Sequence, residues 1–165
     1  MNDLSQELLS LLQSKTRLRS LYIFLLSAVM SEINTPYERI GGEDAVHRLC
    51  QTFYQIMCDT PQTQLIRAMH PENIAISEEK LYLFLTGWLG GPPLYTDLYG
   101  HPRLRARHMP FPIGIEERDQ WLYCMAQALQ TMDLDELFAQ QLMSSFVQTA
   151  DFMRNKPDEA DTHDQ

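Results

Sequence analysis

A chain of 165 residues, 44% hydrophobic and 21% charged, is long enough for one domain with a sizeable core and too short for two of ordinary size. Its formal net charge of -9 argues against nucleic acid as a general partner, because phosphate binding needs positive side chains spread over a wide face. The three cysteines, Cys50, Cys58 and Cys124, have no metal-binding spacing. We therefore expect reduced core thiols in a cytoplasmic protein.

Residues 1–34 form a segment that we expect to be peripheral to function. Lys15, Arg17 and Arg19 precede the apolar run "LYIFLLSAVM" at 21–30, which has the pattern of a short signal-peptide core. The run is about half of the roughly 20 residues that a membrane-spanning helix needs, so we expect no span. A simpler interpretation is an amphipathic helix that packs on the domain, and a third is that Met30 is the native start.

From residue 42 onward the apolar residues recur with helical spacing. Gly41 and Gly42 break the chain before a first helix, which "DTP" at 59–61 ends. The apolar stripe of this helix consists of Val46, Leu49, Phe53 and Ile56. One or two further turns are predicted at 63–69, before His70 and Pro71 break the chain again.

A second long helix is predicted to begin at Ser77, a residue type that caps helix N-termini well. It continues through "LYLFLTGWL" at 81–89, which is apolar nearly all round and must be buried on more than one face. "GGPP" at 90–93 ends it, and a polar, irregular stretch is expected next. Two more helices are predicted, from about Ile115 to Met132 and from near Asp135 to Met153. No convincing strand is found, so the expected fold class is all-α.

The stretch "YGHPRLRARHMPFPIG" at 99–114 concentrates basic side chains in an acidic chain. A short helix that ends at His108, just before Pro110, leaves this imidazole at an exposed edge of the core. A nearby carbonyl could accept its Nδ1 proton and leave Nε2 free for a metal. The neighbouring arginines cannot bind iron, but they pair with carboxylates. Haem has both a central metal and carboxylates at one edge; a surface histidine beside solvated arginines is the alternative.

The stretch "FLTGWLGGPPLYTDLYGHPRLRARHMPFPIG" at 84–114, followed by "ERDQWL" at 117–122, resembles the group II truncated haemoglobins. The resemblance runs from about Tyr37 to Met153 and includes "YERIGG" at 37–42 and "TFY" at 52–54. It implies a globin-like, truncated two-over-two helical sandwich over residues 35–156, after an N-terminal helical extension at 1–34. The acidic tail at 157–165 is charged and poor in apolar residues, so we expect it to be disordered. The resemblance also implies haem b (iron protoporphyrin IX) as the cofactor.

The resemblance assigns roles at the iron to four residues. His108 matches the proximal iron ligand. Trp121 and Tyr54 match residues that donate hydrogen bonds to the bound ligand. His70 matches a distal position from which the ring donates to the ligand or approaches the iron itself.

On the second core helix, Ser77 and Leu81 match two positions that face the distal pocket. Because Leu81 is apolar where some relatives carry glutamine, the pocket is expected to depend more on Tyr54 and Trp121.

The resemblance also assigns a second group of residues, on the propionate side of the haem. Tyr95, His101 and Arg105 match that side. Arg103 and Arg107 are expected to be solvated, since one short helix cannot point three arginines the same way.

The expected function is reversible binding of dioxygen and other small ligands: NO, CO, peroxide or sulfide. Two donors imply slow release, which suits redox chemistry better than bulk oxygen delivery. The alternatives are a catalyst, such as an NO dioxygenase or a peroxidase served by a cellular reductase, and a haem-based gas or redox sensor. A helical interaction protein without a cofactor is the simplest competing interpretation.

Overall fold

The computed structural model of the protein describes residues 34–157, a part of the chain that contains helices and no strand. The all-α prediction is confirmed for these residues, whereas the predictions for the N-terminal extension and for 158–165 lie outside them. None of the helices in this part is long and apolar enough to cross a bilayer. In chain order they are α1 Pro36–Ile40, α2 Gly42–Asp59, a 3-10 turn Pro61–Thr63, α3 Gln64–Ala68, α4 Ala75–Trp88, α5 Leu94–Tyr99, α6 Leu104–His108, α7 Ile115–Gln130 and α8 Glu136–Met153.

Four long helices form the core as two pairs. Helix α2 packs against α4, α7 packs against α8, and the contact between α2 and α7 joins the pairs. Burying one large apolar side chain contributes about 1.5–3 kcal/mol, so these contacts dominate the stability. The stripe predicted for α2 and similar apolar stripes on α7 and α8 supply the buried side chains, among them Val46, Leu49, Phe53, Met125, Leu129, Phe138, Leu142 and Phe146.

Helix α4 begins earlier than predicted, and the assignment of Ser77 as its N-cap is wrong. The helix begins at Ala75, whose N–H donates to the Asn73 side-chain oxygen over 3.2 Å. Asn73 therefore satisfies a free N–H of the first turn, as a capping side chain does. Ser77 lies within that first turn, which leaves its hydroxyl available to face the interior.

The end of α4 confirms the prediction made from "GGPP". Gly90 has a φ of 91°, in the left-handed region that favours glycine. The Gly91 N–H donates to the Thr86 carbonyl (2.9 Å) and the Gly90 N–H to the Gly87 carbonyl (3.0 Å), the pair of bonds that defines a Schellman motif. A Cβ on Gly91 would lie 2.7 Å from the Tyr37 ring, so the second glycine permits a close approach of α1.

Residues 94–99 form helix α5, where an irregular stretch was expected, so that prediction is wrong. Pro93 precedes the helix and its carbonyl accepts the Asp97 N–H over 3.0 Å. Proline at a helix start costs no hydrogen bond and fixes φ near the helical value. Tyr95 is buried and anchors the helix. The helix was not predicted, because six residues are too few to show a helical period.

The cysteines are only partly as expected. Cys50 and Cys124 are buried, whereas Cys58 is exposed, so the prediction of a core thiol is wrong at that position. The residue before it, Met57, is buried, and a helix turns about 100° per residue, so Cys58 points away from the core. Burial raises the pKa of the Cys50 thiol to about 12 and that of Cys124 to about 11. Both buried thiols therefore stay protonated and unreactive.

Glu117 ties the start of α7 to the chain that follows α8. Its carboxylate, in a side chain only 9% exposed, accepts hydrogen bonds from Gly114 N–H and Lys156 Nζ, both at 2.7 Å. Burial acts to raise its pKa, but the hydrogen bonds from Lys156 and Gly114 outweigh burial and hold the pKa below the ordinary value of 4.5. The ionised form is thus bound more tightly by the folded state than by the unfolded chain.

Replacing Glu117 with glutamine should destabilise the fold at neutral pH and leave it unaffected in acid. Because the folded pKa is the lower one, the stabilisation is complete above about pH 4.5 and is lost as the pH falls through the folded value. We expect a loss of about 1 kcal/mol at pH 7, since exposed Lys156 remains solvated. Thermal unfolding at pH 7 and pH 3 measures it, with Glu116→Gln, an exposed neighbour, as the control. If the stability difference between wild type and Glu117→Gln were as large at pH 3 as at pH 7, the ion pair would not be its cause.

Candidate functional site

A cavity of about 420 Å³ opens among side chains of the seven α-helices α2 to α8 and the loops between them. Its size falls within the range of about 300–1,000 Å³ usual for sites that bind small molecules and cofactors. Much of its lining is apolar, and a few polar and charged groups converge on it. The apolar part includes Leu81, Phe84, Phe111, Ile113 and Met153.

His108 lines this cavity from the last residue of α6 and is half-buried. Its Nδ1 lies 2.7 Å from the Leu104 carbonyl oxygen. Because a carbonyl only accepts, Nδ1 carries the proton and Nε2 retains its lone pair in the neutral ring. The hydrogen bond expected from the sequence is therefore present, and it fixes the orientation of the imidazole.

Asn155, just beyond α8, holds the turn that follows His108. Its Nδ2 donates to the carbonyls of His108 (3.1 Å) and Phe111 (2.8 Å), and its Oδ1 accepts the Ile113 N–H (2.9 Å). One side chain thus satisfies three backbone groups where proline prevents the helix from continuing. Asn155 could not be predicted from the sequence, because a residue 47 positions from His108 gives no local signal.

Aromatic contacts bring three of the predicted site residues to one wall. The ring of Tyr54 lies 5.6 Å from that of His70, edge to face, and 4.9 Å from that of Phe53. Phe53 in turn contacts Trp121, with 5.1 Å between ring centroids. The Trp121 indole N–H has no hydrogen-bond partner among residues 34–157, which leaves it free to donate to a ligand.

The phenol of Tyr54 is held in its protonated form. Burial raises its pKa well above the ordinary value, and the nearby Cys50 and Glu78 add to the rise, while the Ser77 hydroxyl opposes it. Tyr54 therefore keeps its O–H at neutral pH and can donate it.

The ring of His70 is oriented in the same way as that of His108. Its Nδ1 lies 2.7 Å from the Ile66 carbonyl oxygen, so this nitrogen carries a proton. Burial holds the pKa of His70 below its ordinary value; Arg67 and His108 also lower it, and the bond to Ile66 opposes them. In the neutral ring, Nε2 has a lone pair and no proton. His70 can thus accept or coordinate at Nε2 but not donate from it.

Three cations line the cavity: Lys80, Arg107 and Arg118. Arg118 is already neutralised by ion pairs, including one to Asp151 at 2.7 Å. Arg107 donates its Nε to the Pro102 carbonyl (2.9 Å), and Lys80 has no ion pair within the described part of the chain. Arg107 is exposed, in keeping with the expectation that it is solvated, but it also lines the cavity, where its guanidinium is available to an anion.

Arg105 and His101, which the resemblance assigned to the propionate side of the haem, do not line the cavity. Arg105 Nη1 donates to the carbonyl of Phe152 and, over 3.2 Å, to that of Arg154. Positions 105 and 107 lie about 200° apart on a helix, so only one of them can face the cavity. The free carbonyls and the negative end of α8 attract Arg105. His101 is exposed, and its Nδ1 accepts the Arg103 N–H.

The cavity therefore brings together six of the eight predicted site residues, along with Ser77. The six are Tyr54, His70, Leu81, Tyr95, His108 and Trp121.

The residues present fit a haem. No group of three or more histidine, cysteine or acidic side chains that could hold a bare metal ion occurs among residues 34–157. A metal that carries its own in-plane ligands needs only one strong protein donor, and His108 Nε2 offers it. The apolar lining suits a flat macrocycle, and the cations of Arg107 and Lys80 suit carboxylates at its edge.

Comparisons with known proteins agree with this geometry. The model of the bacterial-like globin family matches residues 35–155. The group 2 truncated hemoglobin YjbI of Bacillus subtilis is 41% identical over 128 residues, which are 78% of this chain and 94% of that protein. The group II 2-on-2 hemoglobin of Agrobacterium tumefaciens superimposes with a TM-score of 0.74 at 40% identity, over 76% of this chain and 98% of that one. The truncated oxygen-avid haemoglobin of B. subtilis gives a TM-score of 0.67 at 42% identity, over 74% of this chain and 100% of that one. The predicted two-over-two fold is thereby confirmed.

Proposed function

Since the chain belongs to the bacterial-like globin family and, within it, to the group II truncated haemoglobins, we propose that it holds haem b in the cavity and binds dioxygen there with slow release. Haem-based binding of oxygen and other small ligands is the general function of the family, and this chain shares it. The observation that carries the proposal is the 2.7 Å contact between His108 Nδ1 and the Leu104 carbonyl, because it leaves Nε2 free.

In this proposal His108 Nε2 would bind the iron, and Arg107 and Lys80 would bind the propionates. When bound, the haem supplies an iron atom at which a diatomic molecule is held reversibly. The hydrogen bond from Nδ1 to the Leu104 carbonyl would orient the imidazole and make Nε2 a better donor. Arg107 takes the place that the sequence resemblance had assigned to Arg105.

Trp121 and Tyr54 act as donors to the ligand in the cavity. Both carry a proton and line the cavity, where Tyr54 is buried and Trp121 is half-buried. A hydrogen bond of this kind contributes about 1–3 kcal/mol, so two of them slow the loss of dioxygen strongly. Slow release suits redox chemistry with dioxygen, NO or peroxide, supported by a cellular reductase. The printed description of the B. subtilis relative as oxygen-avid is consistent with this.

Titration of the purified chain with hemin tests the proposal directly. We expect saturation at one haem per chain, with a sharp Soret band and, after reduction, reversible changes on exposure to dioxygen or CO. A chain that takes up no hemin would refute the proposal and leave a cofactor-free interaction protein as the better interpretation.

When the haem is ferric, we expect that His70 would also bind the iron through Nε2. Its Nε2 carries the lone pair, whereas Tyr54 keeps its proton and is a poor ligand. We expect a six-coordinate low-spin ferric spectrum that His70→Leu converts to high spin and that Tyr54→Phe leaves in place. Optical and EPR spectra of the three proteins measure it. If Tyr54→Phe alone removed the low-spin form, the phenol would be the ligand.

A further inference from the structure

Two tyrosine rings lead from the cavity to the protein surface. Tyr95 lines the cavity and is 9% exposed. Its ring centroid lies 5.1 Å from that of Tyr99, which is 45% exposed. The Arg107 guanidinium lies 5.8 Å from the Tyr95 ring, on the cavity that both residues line. Tyr95 thus spans the wall between the cavity and an exposed phenol.

We propose that Tyr99 is a surface oxidation site, connected through Tyr95 to the haem, at which small phenols are oxidised by hydrogen peroxide. The proposal rests on the haem binding proposed above and goes beyond it, because it assigns a second site and a class of reductant. The phenol does not have to enter the cavity, since the electron travels through the two rings.

The reaction balances with the two reactants named. One hydrogen peroxide molecule takes up two electrons and two protons, its O–O bond breaks, and two water molecules result. Tyr99 supplies the electrons one at a time, and on each occasion its O–H bond breaks and leaves a neutral phenoxyl radical. A phenol from solution then gives Tyr99 an electron and a proton. Two phenols become two phenoxyl radicals for each peroxide consumed, and Tyr99 is regenerated.

The surroundings of Tyr99 suit this exchange. Tyr99 and the substrate are both phenols, so their O–H bonds are of similar strength and hydrogen transfer between them is nearly balanced in energy. The next residue, Gly100, has open space where a side chain would lie, and the preceding Leu98 is exposed. A flat ring can therefore approach the Tyr99 hydroxyl. Solvent at this position also accepts the phenolic proton.

A second row of rings offers a less direct path. Trp121 lies 5.9 Å from Phe146, which stacks on Trp88 at 4.9 Å. Because the benzene ring of phenylalanine is much harder to oxidise than a phenol or an indole, this row has one long step between its tryptophans. Tyr95 and Tyr99 are direct neighbours, so we assign the route to them.

The fold provides a matched control for the test. Among residues 34–157, Tyr99 and Tyr123 are the two exposed tyrosines, at 45% and 43%. Tyr123 lies on α7 and has no aromatic ring contact among the described residues. Similar exposure with no connection to the cavity makes Tyr123→Phe the proper comparison for Tyr99→Phe.

The experiment treats the haem-loaded full chain with hydrogen peroxide in the absence of a reductant. Radicals on exposed tyrosines couple between molecules, so dityrosine fluorescence and covalent dimers report them, and peptide mapping locates the cross-link. We expect dimers linked through Tyr99 in the wild type, their loss in Tyr99→Phe, and their retention in Tyr123→Phe. Peroxide-driven oxidation of guaiacol should fall in Tyr99→Phe alone.

Every other pattern overturns the proposal. Cross-links that persist in Tyr99→Phe, that disappear in Tyr123→Phe, or that map to another residue would show that oxidation leaves by a different path. The Soret band of each protein is recorded first. Failure to take up hemin refutes the haem-binding proposal, whereas full uptake without a Tyr99 cross-link refutes this inference alone.

Discussion

His108→Ala is expected to leave the chain nearly colourless after addition of hemin. The variant loses the imidazole ring at the end of α6. Nδ1 of this ring bonds to the Leu104 carbonyl, and Nε2 keeps a free lone pair. We expect the affinity for hemin to fall by at least about 100-fold, because removing a partner that merely orients a metal ligand already costs about 10–100-fold. Titration followed at the Soret band measures the loss.

His101→Ala is the matched control, since His101 belongs to the same basic stretch but is exposed and off the cavity. It should bind hemin as the wild type does. Added imidazole should restore a Soret band to His108→Ala, because the truncated side chain leaves space for a free ring. Full hemin affinity in His108→Ala, or equal losses in both variants, would contradict ligation by His108.

Trp121→Phe should accelerate the release of dioxygen. The phenyl ring preserves the contact with Phe53 but removes the N–H that lacks a partner among residues 34–157. A lost donor costs about 1–3 kcal/mol, and each 1.4 kcal/mol is a factor of ten, so the rate should rise roughly 5- to 150-fold. Stopped-flow displacement of dioxygen by CO measures this rate.

The other tryptophan separates this role from packing. Trp88 stacks on Phe146 and does not line the 420 Å³ cavity. Trp88→Phe should therefore lower the thermal stability while leaving the dissociation rate close to that of the wild type. If the two variants released dioxygen equally fast, or if Trp121→Phe changed nothing, the indole would not be a donor.

Local sequence signals predicted the parts of the fold that depend on local interactions. The glycine pair at 90–91 ends α4 through backbone geometry that other residues adopt poorly. Asp135 accepts the Phe138 N–H at the start of α8, as a capping residue does. The errors came at α5, which is too short to show a period, and at Ser77. There the helix begins two residues earlier, at Ala75, whose N–H donates to Asn73.

The direction in which each arginine points could be predicted only in part from the local sequence. Spacing alone established that Arg105 and Arg107 must face different directions. Which of them faces the cavity depends on α8, whose terminal carbonyls bind Arg105. Asn155 and Lys80 were missed for the same reason, because their partners or neighbours at the site belong to distant parts of the chain.

The sequence by itself determined the helical class, the family and the position of His108 at the end of a short helix, since each depends on residue types at fixed spacing. The tertiary structure decided which guanidinium reaches the cavity, which nitrogen of each histidine is free, and which phenol connects the cavity to solvent. These are properties of packing: a side chain's direction and protonation follow from the carbonyls, charges and rings that other helices bring to it, and those neighbours lie far away in the sequence.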